Sequence, residues 1–290
     1  MRGYEKNRCY NKTINDGLKT RTMDQTDLAY QLCLIAQRAG GDIMDVKAKL
    51  NNGDIRIKGD GSPVTIADMR AHDTICRGLS RLMPGTPIVS EEGLSGNPNT
   101  SEVSFVVDPL DGTKEFIKGN GMYTVNIALA RRIGPSRWKP VLGVVVAPET
   151  GTTWFGGTQV EAARQRSDSI QKIRVNNGSN PPVVVGSVSH PSPKDRLFRD
   201  DLGDHTFEGV GSSMKICMVA DGTADLTARF GPTSCWDTAA AHAVLNSAGG
   251  NLLDPSGEEL DYDLVDNRLN PPFLATRGSN WVDVWIRHQE

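Results

Sequence analysis

The chain has 290 residues, a formal net charge of -3 and a pI near 6.0, so it carries no global basic field of the kind that draws proteins onto nucleic-acid phosphates. Apolar residues make up 38% and charged residues 23%, which suits a globular chain with a real core. No run of eighteen apolar residues occurs, which excludes a transmembrane helix on length, and Cys9, Cys33, Cys76, Cys217 and Cys235 are scattered, odd in number and expected as reduced thiols.

In chain order, residues 1–25 lack an apolar h-region and are expected to be a disordered extension, with Met23 as an alternative start. Leu28, Leu32, Ile35, Ala39, Ile43 and Val46 recur at helical spacing behind a Thr26 or Asp27 cap. Ser62-Pro63 breaks the chain before a second helix drawing on Ile66, Met69, Ile75, Leu79 and Leu82, which Pro84-Gly85 ends. Short β-rich runs at 87–89, 105–107, 125–129, 142–146 and 152–155 are expected to share one mixed sheet. The polar stretch 164–172 reads as a crossing between two halves, 26–165 and 166–290. The second half alternates a strand at 183–185, helices at 193–202 and 213–220, and a strand at 225–230. It continues with a helix over 237–247, a strand at 273–276 and a short helix from Trp281.

The chemistry concentrates at Asp108-Pro109-Leu110-Asp111-Gly112-Thr113, where proline sets up a turn after an apolar strand. Two carboxylates across a tight turn, with the Leu110 carbonyl between them, form a hard oxygen set suited to magnesium. The same string is also good turn chemistry for any surface. Ser90-Glu91-Glu92-Gly93 places further acids after a second apolar run. Asp237 stands where a helix begins, as metal ligand or N-cap. Thr65-Ile66-Ala67-Asp68 fits a capping box. Gly112 would let backbone N–H groups approach a phosphate, and Thr113 adds a hydroxyl. The signatures of P-loops, EF-hands, zinc proteases and serine hydrolases are absent, and His72, His205, His242 and His288 are scattered.

These strings resemble the inositol monophosphatase superfamily of lithium-sensitive, magnesium-dependent phosphatases. The resemblance rests on Ser62-Pro63-Val64-Thr65-x-Ala67-Asp68, Val89-Ser90-Glu91-Glu92, the 108–113 turn and Trp236-Asp237-x-Ala239-Ala240, in the family's order, and covers nearly everything after residue 25. Lys114-Glu115-Phe116-Ile117-Lys118 and Arg229-Phe230-Gly231-Pro232-Thr233 are similar to the bisphosphate-nucleotidase branch. The resemblance implies an α/β fold, a layered αβαβα sandwich, with a metal-bearing domain at 26–165 and a substrate-binding domain at 166–290. It implies Glu91, Asp108, the Leu110 carbonyl, Asp111 and Asp237 as ligands of two or three Mg²⁺. Asp68, Glu92 and Thr113 would serve deprotonation of the attacking water, and Gly112 and Thr113 would also touch the phosphate.

His190, Ser212, Lys215 and Arg229 match positions that hold nucleotide in related enzymes. The implied activity is conversion of 3′-phosphoadenosine 5′-phosphate to AMP and phosphate, with the nucleotide bisphosphate as small-molecule partner and no nucleic acid. The alternatives are an inositol monophosphatase or sugar-bisphosphate phosphatase, and a non-catalytic nucleotide-sensing module. The expected location is the cytoplasm, with peripheral association at the inner membrane left open.

Overall fold

The computed structural model describes residues 24–49, 55–57, 63–189 and 192–289. The expected extension at 1–25 falls almost wholly outside them, as does His190. Helix α1, Gln25–Lys47, is capped by Asp24, ahead of the expected Thr26 or Asp27, because Asp24 accepts the Asp27 N–H at 2.8 Å. A short ribbon, β1 (Ile55–Ile57) with β2 (Pro63–Thr65), leads into α2, Ile66–Leu82. Thr65 and Asp68 make the expected capping box there.

Two of the apolar residues assigned to the α2 core, Ile66 and Met69, are 40% and 47% exposed. The buried row is instead Ala67, Ala71, Ile75 and Leu79, spaced four apart, with small residues at its start. At Gly78 the two helices come so close that an added Cβ would lie 2.9 Å from Ile35.

The main sheet comprises β3 (Ile88–Ser90), β4 (Gly93–Ser95), β5 (Val103–Asp111), β6 (Thr124–Gly134), β7 (Arg137–Ala147), β8 (Thr152–Gly157), β9 (Val160–Arg166) and β10 (Ser169–Lys172). Its order is β10-β9-β8-β7-β6-β5-β3-β4, parallel only between β3 and β5. The stretch expected to cross between halves is thus a hairpin, β9 pairing β10 with Ser169 opposite Arg166. Its nearly continuous run of polar residues suits an exposed edge, and all four residues of β10 are exposed. Between β5 and β6 the short helix α3, Thr113–Lys118, follows the acidic motif.

A second, five-stranded sheet runs β12-β11-β13-β17-β15. It is built from β11 (Val183–Ser187), β12 (Thr206–Val210), β13 (Leu226–Arg229), β15 (Asn251–Leu253) and β17 (Phe273–Thr276). Helices α4 (Pro193–Asp200), α5 (Met214–Ala220), α6 (Cys235–Ser247) and α7 (Val282–Arg287) pack around it, and a small ribbon pairs β14 (Thr233–Ser234) with β16 (Leu269–Asn270).

Strand alternation shows the layering directly. Phe105, Val107, Val144 and Val146 face one core with α1 and α2, whereas Val106, Val145 and Ala147 face another with α5 and α6. In the second sheet Val185, Leu252 and Ala275 join that same middle core, while Val184, Leu253 and Leu274 turn to Phe198 of α4 and Trp285 of α7. The result is the αβαβα sandwich, with α5 and α6 as its central layer. Among the described residues no helix is long and apolar enough to cross a membrane.

Candidate active site

The acidic motif is not a free turn. β5 continues through it, pairing Asp108 with Asn126 and Asp111 with Thr124. Three steps on β5 therefore oppose two on β6, which is a bulge carrying one extra residue. Pro109, which has no N–H to give the ladder, sits in that irregularity. In a regular strand, residues three apart point to opposite faces. The extra residue cancels one alternation, so Asp108 and Asp111 share a side. Gly112 then takes φ 93°, and a Cβ there would meet the Met122 carbonyl at 3.0 Å.

Asp237 arrives from the other half. The last long helix begins at Cys235, two residues before the expected start, so Asp237 is not its N-cap but lies in the first turn, where it accepts the Ser234 N–H at 2.7 Å. Carboxylate oxygens of Asp108, Asp111 and Asp237 lie within 4.8 Å of one another. Burial, then Glu91 and Asp111, push the Asp108 carboxyl well above its ordinary range. Burial raises Asp111 to about 6, although Lys215 and the Ser213 N–H oppose the shift, and burial with Asp111 raises Asp237 to about 7. Like charges this close resist ionising together. A divalent cation among them would relieve that repulsion with hard oxygen ligands, so the donor set fits such an ion.

A cavity of about 700 Å³ opens on this cluster. Glu91, Asp111, Gly112, Thr113 and Asp237 line it together with Ser212, Lys215 and Arg229. Asp108 and Leu110 are buried beneath the floor. The Leu110 carbonyl is reached by the Thr113 hydroxyl at 3.3 Å, which also points at Asp68 Oδ1 at 3.2 Å. The other Asp68 oxygen accepts both the N–H and the hydroxyl of Thr65 at 2.7 Å. Capping and contact with Thr113 thus coexist in Asp68, whose burial outweighs the Thr65 bonds and raises it to about 6.

Glu92 is absent from the cavity wall and helps raise Asp68 from nearby. Lys215 is desolvated, which lowers its pKa, while Asp111 favours its charge, and its ammonium donates to the Ser212 carbonyl at 2.6 Å. Ser212 holds φ 52°, uncommon for a residue with a Cβ.

Several polar residues of the site carry no motif. Ser213 donates its N–H to Asp111, and its hydroxyl bonds Asn126 and Thr124, both at 2.8 Å. Glu115 and Ser189 also line the cavity. Glu115 lay inside the string similar to the nucleotidase branch, whereas Ser213 is an ordinary serine until the halves meet.

Comparison with known proteins agrees with this geometry. The inositol monophosphatase family pattern matches residues 24–276. The chain is 43% identical over 252 residues to the 3′(2′),5′-bisphosphate nucleotidase CysQ of Escherichia coli K12, covering 85% of this chain and 98% of that protein. It is 36% identical to the CysQ of Buchnera aphidicola, covering 85% and 92%. The crystal structure of CysQ from Bacteroides thetaiotaomicron superposes with a TM-score of 0.74 at 32% identity, covering 87% of this chain and 97% of that one. With the αβαβα layering and an acid cluster drawn from two distant segments, these matches establish that the chain belongs to the inositol monophosphatase family.

Proposed function

We propose that the chain is a divalent-metal-dependent phosphomonoesterase, a 3′(2′),5′-bisphosphate nucleotidase that converts 3′-phosphoadenosine 5′-phosphate to AMP and phosphate. One observation carries the reading: a single cavity joins the carboxylate cluster of Asp108, Asp111 and Asp237 to the cations Lys215 and Arg229. The substrate has two anionic groups, and the cavity has one place suited to a metal and another suited to direct pairing with charge. Identity to bisphosphate nucleotidases over most of the chain supports the same choice.

In this reading Glu91, Asp108, the Leu110 carbonyl, Asp111 and Asp237 hold two or three Mg²⁺, largely from residues 26–165. When bound, the ions would polarise the phosphoryl group and make a water nucleophilic near neutral pH. Thr113 orients that water with its hydroxyl oxygen and hands protons toward Asp68, with which it shares a hydrogen bond. Glu92 acts through Asp68. Gly112 lets the cleaved phosphate approach the backbone. Lys215 and Arg229, with Ser212 and His190 from residues 166–290, hold the other phosphate and the nucleoside.

The test is phosphate release with Mg²⁺ from adenosine 3′,5′-bisphosphate, inositol 1-phosphate and fructose 1,6-bisphosphate. The nucleotide should give the highest kcat/KM. A clear preference for the inositol ester or the sugar bisphosphate would remove the substrate assignment, and no release from any ester would favour a sensing module.

A further inference from the structure

Glu115 is a carboxylate where an anion pocket should least want one. It lines the cavity, its residue is only 5% exposed, and it lies close enough to Lys215 to favour the charged ammonium. A buried carboxylate persists where its oxygens are bonded, and the Ser189 hydroxyl donates to Oε1. Lys118 completes the group, its ammonium donating to Ser189 Oγ at 2.8 Å and lying 3.9 Å from Glu115 Oε1. The aliphatic part of Glu115 rests on Gly211, where an added Cβ would come within 3.0 Å of its Cγ.

These contacts join three chain segments. Glu115 belongs to α3, which begins at Thr113 directly after the acidic motif. Ser189 follows the end of β11, and Gly211 precedes Ser212 and Lys215. All three segments line the same cavity. Glu115 therefore links the segment that follows Asp111 to Ser189 and to Gly211, the neighbour of Ser212.

We propose that Glu115 is a positioning residue for substrate selectivity: through Ser189 and Gly211 it holds the second-anion wall of the cavity at a fixed span from Thr113. The inference rests on the bisphosphate reading. Binding of a substrate with two anions depends on that span, whereas a small monoester engages only one side.

The experiment measures kcat and KM for adenosine 3′,5′-bisphosphate, inositol 1-phosphate and p-nitrophenyl phosphate in the wild type, Glu115→Gln, Glu115→Ala, Ser189→Ala and the Glu115→Ala/Ser189→Ala double variant, each checked by thermal melting. Loss of one charge-assisted hydrogen bond corresponds to about a tenfold rise in KM for the nucleotide. That rise is expected for either alanine variant, with a smaller change in kcat and a lowered ratio of nucleotide to p-nitrophenyl phosphate kcat/KM. Glu115→Gln should recover most of the KM, since its amide oxygen still accepts from Ser189. The double variant should be no worse than the worse single, because the two remove one shared contact.

Equal losses on the nucleotide and p-nitrophenyl phosphate, additive losses in the double variant, or an unchanged nucleotide KM would each overturn the proposal. If Glu115→Ala does not fold, Ser189→Ala and Glu115→Gln carry the same comparison. A wild type that prefers inositol 1-phosphate would defeat the function assignment alone. The positioning role would still be read from KM for the nucleotide in the same variants, where additive losses or an unchanged value would overturn it.

Discussion

The backbone N–H of Ser213 donates to the Asp111 carboxylate at 2.6 Å, across 102 residues of sequence. That bond fixes the acidic bulge of the main sheet against the start of α5, the helix that also carries Lys215. It ties the two halves of the site together.

Asp111→Asn should reduce turnover by at least about a hundredfold, the scale expected when a key electrostatic group is removed from a preorganised site. Folding should survive, because the amide oxygen can still accept from Ser213 and the substitution removes one of several crowded like charges. Phosphate release and thermal melting on the same preparation check both halves. Near-wild-type turnover would refute the role.

Chelation with EDTA should abolish phosphate release, and Mg²⁺ should restore it. In the absence of substrate, Mg²⁺ at about a hundredfold excess over its Kd should raise Tm by about 5 °C or more, since it binds the folded state. Asp111→Asn should blunt that rise. Li⁺ should inhibit the Mg²⁺-supported reaction, as the family resemblance implies.

Ser213→Ala leaves the bond to Asp111 intact, since that bond uses the backbone, but removes the hydroxyl shared by Asn126 and Thr124. Stability should fall by about 1–2 kcal/mol, because buried partners lose a bond. The urea midpoint of unfolding measures it.

Gly143→Ala should be far more damaging than its exchange of one hydrogen for a methyl suggests. A Cβ at Gly143 of β7 would lie 2.0 Å from the Ala240 carbonyl, so α6 would have to lift from the sheet. The expected loss is about 3 kcal/mol or more. Any folded fraction should bind Mg²⁺ weakly, because α6 carries Asp237. A urea midpoint within error of the wild type would contradict this seat for α6.

Asp225 gives a pH signature remote from the site. Burial alone would raise its pKa, but N–H groups of Val183 and Ser179 and the Arg277 guanidinium, at 2.8, 3.1 and 2.7 Å, hold it below the ordinary value. A depressed folded-state pKa contributes stability fully above the unfolded value, about 3.9, and loses it as pH falls through the folded value. The stability gap between wild type and Asp225→Asn should therefore be present at pH 7 and shrink below about pH 4. Urea titrations at several pH values test it, and a gap that widens on acidification would refute it.

Much of the fold was legible because its signals are local. The alternation of Phe105, Val106 and Val107 and the spacing of Leu28, Leu32 and Ala39 name strand and helix without reference to the rest of the chain. The errors fell where packing overrides local pattern. Ile66 and Met69 look like core residues, but close approach of α1 and α2 favours the alanine row beside them. The 164–172 stretch looks like a linker because its edge hairpin has an exposed polar face.

The sequence by itself determined which carboxylates and threonine the chain owns, in what order, and that the acids with the Leu110 carbonyl make a hard oxygen set suited to a divalent cation. It determined the alternating and helical elements for the same reason, since side-chain period is a property of neighbouring residues. Tertiary structure alone decided that a bulge turns Asp108 and Asp111 to one side. It also decided that α6 brings Asp237 beside them and that Ser213 and Glu115 bond to residues of distant segments. Those outcomes depend on strand register and helix seating across more than a hundred residues of sequence, as the Ser213–Asp111 bond does. No local string encodes them.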